Sequence, residues 1–190
     1  AYVVRHYQLD LAEEWTLPIT ELAPPHARGV DLLIADMGRE ALRTQVATAL
    51  EQGRRVFVAD IFGSGELSVS WQHHMLISTA GKRSLGLQVG QLLALLDWAK
   101  DKLGPPNLRA AGPISSVVAL IACAIRPTGA SLLQTNGLLD SLGRLIDWPQ
   151  DYSKMPSLFC FGLLAEFDIN DLIELAAPLP LSDGARGPLR

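Results

Sequence analysis

The sequence is short of charge. Asp, Glu, Lys and Arg make up 19% of its 190 residues, against roughly 25% in an ordinary globular domain. Apolar residues reach 48%, enough to build a core, so a disordered chain is excluded. No apolar run approaches the ~20 residues of a membrane-spanning helix, and neither a transmembrane segment nor a membrane partner is expected. With 16 basic against 20 acidic residues the net charge is -4. No Lys/Arg cluster has the density of a phosphate-tracking surface, so nucleic acid is not an expected partner either. The sparse charge leaves little polar cover, which points to a soluble chain whose surface packs in part against another domain or chain.

Cysteine is scarce too. Cys123, in Ala-Leu-Ile-Ala-Cys-Ala-Ile, and Cys160, in Leu-Phe-Cys-Phe-Gly, have apolar neighbours and read as small buried hydrophobes rather than a disulfide framework. The chain opens Ala-Tyr-Val-Val, with no initiator Met, basic leader or cleavage pattern. It therefore reads as a processed form or an excised piece. No compartment is assigned, and export of the parent protein stays open.

What is present is an alternation of strands and helices. Residues 2–11 and 15–22 read as a β hairpin joined by Ala12-Glu13-Glu14, with Pro18 demoting its second strand to an edge or bulged one. Val30 to Ala35 and Arg55 to Asp60 read as buried strands flanking a helix from Glu40 to Gln52 that stops at Gly53. This β-α-β unit implies a parallel sheet. Leu85 to Leu103 reads as a crossover helix, residues 108–111 as a short strand, and Val117 to Ile125 as a very apolar helix. Ala130 to Gln134 is a further strand, Gly137 to Trp148 a helix or loop, and Asp168 to Ala177 a helix before a last strand-like fragment at 179–181. The reading is one domain over residues 1–181 and a disordered tail over 182–190. No internal repeat or low-complexity linker is seen.

In an open α/β sheet, ligands bind beyond the carboxyl ends of the strands. Asp60-Ile-Phe-Gly-Ser-Gly-Glu66 has a Gly-x-Gly shape there but lacks the third glycine and following helix of a dinucleotide fingerprint. Asp60 reads as a cap on its own glycine turn, and no cofactor is expected. His73-His74 lacks metal-ligand spacing and a third ligand, so no metal is expected either. Trp15, Trp71, Trp98 and Trp148 are too scattered to specify a sugar-stacking face, with Trp98 reading as core. The informative segment is Gly112-Pro113-Ile114-Ser115-Ser116, where a strand turns through a glycine corner straight into a helix, the backbone setting of a nucleophile elbow. Laid on Gly-x-Ser-x-Gly, the nucleophile position falls on Ile114, which has no reactive atom.

At this point the chain resembles the α/β-hydrolases of the acetyl xylan esterase-like and prolyl-oligopeptidase type, in particular the C-terminal, second hydrolase-like domain of long members. The resemblance is carried by Val56 to Glu66, Leu85-Gly-Leu-Gln88, Gly112 to Ser116, Leu158 to Leu164, and Phe167-Asp-Ile169 through Ala177-Pro-Leu-Pro180. It implies a three-layer α/β-hydrolase-like sandwich, mostly parallel, with an N-terminal antiparallel hairpin and a truncated C-terminal side. It also implies that Gly112 matches the first glycine of a degenerate elbow.

The hydrolase triad runs Ser, then Asp or Glu, then His along the chain. Acids follow the corner at Asp140, Asp147, Asp151, Glu166, Asp168 and Asp171, but all four histidines, His6, His26, His73 and His74, precede it. No catalytic residue is therefore expected. The leading expectation is a non-catalytic hydrolase-like domain of a carbohydrate-esterase-type protein, packing against a neighbouring hydrolase domain or a second copy of itself. The alternative is a serine esterase on a carbohydrate acetate or other small ester, with Ser115 or Ser116 as nucleophile and His73 or His74 reaching over from the loop after Glu66. For the two serines, the competing role is to cap the helix that follows. A third reading is a nucleotide-binding flavodoxin-like module.

Overall fold

The computed structural model describes residues 2–11, 14–147 and 151–189. Strands β1 (Val3–Leu11) and β2 (Trp15–Ala23) form the expected antiparallel hairpin, from Val3 opposite Ala23 to Leu11 opposite Trp15. Ala12 and Glu13 of its turn lie outside the described residues. The apolar runs that follow become β3 (Val30–Ala35), β4 (Arg55–Ala59), β5 (Asn107–Ala111), β6 (Leu132–Asn136) and β7 (Leu181–Asp183), with a final β8 (Gly187–Leu189). One sheet results, in the order β1-β2-β4-β3-β5-β6-β7-β8. It is parallel from β4 through β7 and antiparallel at both ends.

Seven helices connect the described strands: α1 (Arg43–Glu51), α2 (Trp71–Thr79), α3 (Ser84–Leu103), α4 (Pro113–Ile125), α5 (Arg144–Asp147), α6 (Leu163–Glu166) and α7 (Ile169–Leu175). A 3-10 turn at Arg39–Leu42 precedes α1, so this helix starts later than its apolar spacing implies. It ends as expected. Gly53, at φ +71, lets its own N–H reach Leu50 and that of Arg54 reach Ala49, closing the last turn.

The two faces of the sheet are covered unequally, which gives a three-layer sandwich with one heavy side. Leu32, Ile34, Phe57, Ala59, Leu108 and Leu133 point into the large core under α3, α4 and α7. The alternate residues Leu33, Ala35, Val56 and Val58 face the other way, against Leu42 and Ala49 beside α1. Past α1 that second face turns polar. Gln134 and Asn136 are exposed, Arg109 is half-buried, and Asp31 is fully buried between Arg54 and Arg109.

Three expectations need correction. Pro18 does not put β2 at an edge: β2 lies between β1 and β4, and Pro18 falls one residue beyond the β2–β4 ladder, where its carbonyl accepts the Asp60 N–H at 3.3 Å. The segment after Glu66 is not a loop throughout, because residues 71–79 are helical. Only His74 of α2 is buried, while Trp71, Met75 and Leu76 are exposed, so the sequence has no apolar stripe to announce the helix. The expected tail over 182–190 is ordered from 182 to 189, and residues 181–189 pair. They form a hairpin in which Leu181 pairs with both Leu133 and Leu189.

Candidate site at the strand-to-helix corner

The carboxyl ends of β4, β3, β5, β6 and β7 carry Asp60, Asp36, Gly112, Asn136 and Asp183 in spatial order. Neighbouring ends are tied together by the chain itself. Asp36 donates its N–H to Ala111 at 3.0 Å, and Gly112 donates to Asn136 at 2.8 Å.

The corner turns at Gly112, not at Ile114. Gly112 has φ +99 and ψ 158, a combination essentially confined to glycine. Helix α4 starts at the next residue, and Ser116 already bonds back to the Gly112 carbonyl at 3.0 Å. Ile114 therefore lies in the first helical turn, half-buried against the core. Motif spacing points two residues further on, to Ile114, because spacing cannot show where the backbone changes hand. The residue that follows the apex is Pro113. An oxyanion hole takes a backbone N–H from the residue after the nucleophile, and proline has none.

The next two N–H groups are occupied. The Asp36 carboxylate accepts from Ile114 N–H at 3.1 Å and from Ser115 N–H at 2.6 Å. A Cβ on Gly112 would lie 2.4 Å from the Asp36 carboxyl carbon. Asp36 thus fills the space where a side chain at the apex would stand. It caps α4, where its charge also suits the positive helix end.

Burial raises the Asp36 pKa, against the lowering effect of the bonds from Ser115 and Ile114. The folded protein then holds a proton at pH values where the unfolded chain has released it. This contribution to stability is complete below the ordinary value of 3.8 and is lost as pH rises through the raised one. Asp36→Asn removes the effect. The stability of the parent relative to this variant is expected to fall across that interval, as measured by urea unfolding at a series of pH values. A difference independent of pH would show that Asp36 does not titrate in this way.

The four alternative residues do not converge. Ser115 and Ser116 are buried on α4, and the Ser116 hydroxyl has no partner among the described residues. His73 is exposed, with its Nδ1 3.0 Å from the Ser70 hydroxyl. His74 is buried elsewhere, its ring 5.0 Å from that of Phe62. Burial, then the neighbouring His73, lowers the His74 pKa. No hydrogen bond joins either serine to a histidine among the described residues, and no group of three or more His, Cys, Asp or Glu there could hold a metal ion.

Asp60 does bind its glycine turn, accepting from Glu66 N–H at 3.0 Å, but it also takes Arg39 N–H at 2.8 Å and Arg39 Nε at 3.0 Å. The tryptophans are dispersed. Trp98 packs on Phe57 and Tyr7, Trp15 on Phe62, and Trp71 on Tyr152, while Trp148 lies outside the described residues.

Asp36 immediately follows an apolar strand, at a strand end where a linear reading already looks for ligands. Asp183 escapes it, ending β7 in what reads as a tail. Buried, it accepts from the Thr135 hydroxyl at 2.8 Å, Ala185 N–H at 3.1 Å and Leu138 N–H at 3.2 Å. Burial alone would raise its pKa, but these bonds, with Arg186 nearby, outweigh it and hold the carboxyl below the ordinary value. Between Asp183 and the corner opens a hollow of about 490 Å³, lined by Pro113, Gly137, Leu138, Met155, Asp183 and Arg186 among others.

No protein-family model matches the sequence, and no curated protein matches it. Solved structures do. A Bacteroides fragilis protein assigned as an acetyl xylan esterase superposes at a TM-score of 0.81 and 13% identity, over 96% of this chain and 59% of its own. The fold is that of the α/β-hydrolases. A cold-adapted esterase from an Arctic intertidal metagenomic library matches at a TM-score of 0.64 and 12% identity, over 95% of this chain and 70% of its own. Dienelactone hydrolase from Anabaena variabilis matches at 0.53 and 18%, over 70% of this chain and 62% of its own. The chain thus spans 62% and 59% of the length of the Anabaena and Bacteroides proteins. At these identities the likeness is one of fold. Within it, Gly112 stands at the turn from β5 into α4.

Proposed function

We propose that this chain is a catalytically silent α/β-hydrolase domain of a carbohydrate-esterase-type protein, acting by packing against a neighbouring hydrolase domain or chain. The observation that carries this reading is the filled corner. A glycine occupies the apex, a proline follows it, and the Asp36 carboxylate holds the first two free N–H groups of α4. A negative charge at that point opposes the oxyanion that acyl transfer develops, so the corner would raise the barrier that a hydrolase must lower. The likeness of fold to the Bacteroides protein supports the esterase-type setting.

A packing role is supported by the surface. Phe161 is 87% exposed and Ile146 69%, and both line one apolar hollow with Phe159 and Leu164, the kind of grouping that marks interaction surfaces.

The test is incubation with a serine-directed fluorophosphonate and with a chromogenic acetate ester. The expected result is no labelling of the folded chain and no turnover above buffer. Labelling at Ser115 or Ser116 that disappears when that serine is replaced by alanine would overturn the silent reading.

A further inference from the structure

The lightly covered face of the sheet holds a hollow of about 280 Å³ between α1 and the ends of β5 and β6, lined by Leu42, Gln45, Arg109, Ala111, Gln134 and Asn136 among others. Strand pairing builds it. Arg109 lies opposite Gln134 and Ala111 opposite Asn136, and paired residues send their side chains to the same face, about 5 Å apart. Ala111 is the small one of this group, so the floor sinks there while Arg109, Gln134 and Asn136 stand around it. Leu42, buried in one cluster with Ala35, and Gln45 of α1 close the other side.

The polar side chains around this floor have bonding capacity to spare. Arg109 Nε stands 2.9 Å from one oxygen of Asp31, whose other oxygen is bonded to Arg54, and this tether fixes the guanidinium. Its two terminal nitrogens make no hydrogen bond among the described residues, nor do the side-chain amides of Gln45, Gln134 and Asn136. Arg54, Arg109 and the buried Asp31 together carry a single positive charge, and Arg109 alone of the three lines the hollow.

We propose that this hollow binds a small hydroxylated carboxylate, a sugar acid of the uronate type. The two terminal nitrogens of a guanidinium match the two oxygens of a carboxylate. A monoanion also neutralises the single charge, whereas a phosphate dianion would exceed it beside the buried Asp31. Carboxamides both donate and accept, as hydroxyl groups do, so a ring of them suits a ligand with several hydroxyls. No aromatic side chain lines the hollow among the described residues, so an aromatic acid would find no ring to stack on. Size agrees as well. A cavity of ~150 Å³ takes a benzene ring, and nearly twice that volume takes a six-membered ring with its substituents. The site is independent of the silent corner: α4 packs on the other face of the sheet, and binding is expected whether or not the chain turns over an ester.

Isothermal titration calorimetry of the full chain with D-glucuronate tests the assignment, with D-glucose, acetate and inorganic phosphate as comparison probes. Glucuronate is expected to bind saturably with a Kd of about 1 mM or tighter, and each of the other probes about 10-fold or more weakly. Gln134→Ala should weaken glucuronate by about 5-fold. Arg109→Lys keeps a charge beside Asp31 but loses the paired nitrogens, and should weaken it by about 10-fold or more. Ala111→Leu fills the floor and should abolish binding. Gln134 is exposed, so its variant should keep the far-ultraviolet circular dichroism and melting of the parent and report on the ligand alone even where another variant folds poorly. No saturable heat up to ~10 mM glucuronate, an equal affinity for glucose, acetate or phosphate, or an affinity unchanged in both Gln134→Ala and Arg109→Lys would each overturn the assignment.

Discussion

Gly112→Ser is expected to yield a folded but weaker protein, less stable by about 3 kcal/mol, that still releases no product from a chromogenic acetate. Serine restores a hydroxyl at the apex and nothing else that the reaction needs. At φ +99 and ψ 158 any residue other than glycine is strained, and the new Cβ would run into the Asp36 carboxyl, 2.4 Å away. Asp36 must swing aside, and Ile114 and Ser115 then lose their acceptor. Among the described residues no imidazole bonds to either corner serine, and this weighs more. His74 is buried against Phe62 and His73 is engaged with Ser70, and loss of the base in a serine hydrolase costs on the order of 10⁶ in turnover. Urea unfolding and a saturation curve with the acetate ester measure both halves of the prediction. Saturable turnover by the variant would mean that an imidazole can reach the corner after all.

Asp31→Ala is expected to destabilise the chain by about 3–5 kcal/mol, seen as a lower urea midpoint at unchanged slope. Asp31 is 0% exposed on the lightly covered face of the sheet. Arg54 Nε bonds one carboxylate oxygen, and Arg109 Nε stands 2.9 Å from the other, close enough for an ion pair though poorly aligned for a hydrogen bond. Removing the carboxylate leaves two guanidinium groups, each about one-fifth exposed, facing one another without a counter-charge. Replacing all three with apolar residues of similar size should recover most of the loss, because the penalty comes from unpaired charge and not from the pair's own strength. A single variant as stable as the parent would show that water already screens this cluster.

The strands and long helices were legible because each buries a face whose period is written in the sequence. Leu32, Ile34 and Phe57 alternate with Leu33 and Val56 across the sheet, and α3 buries Leu85, Val89, Leu92, Leu96 and Ala99 along one side. Where no such face exists the pattern is silent. Helix α2 buries one histidine and exposes its large apolar residues. The hairpin at 181–189 is too short to show a period and is held by pairing with β6.

The candidate site divides in the same way. All four histidines of these 190 residues precede the corner, and the residue types from 112 to 116 depart from Gly-x-Ser-x-Gly. That Gly112 forms the apex, and that a carboxylate 76 residues earlier occupies it, was settled only when β3 and β5 paired side by side, from Asp31 opposite Asn107 to Ala35 opposite Ala111. Local periodicity encodes which residues turn inward. Which of them meet at the end of the sheet depends on strand order and register, and these are decided by the packing of the whole core.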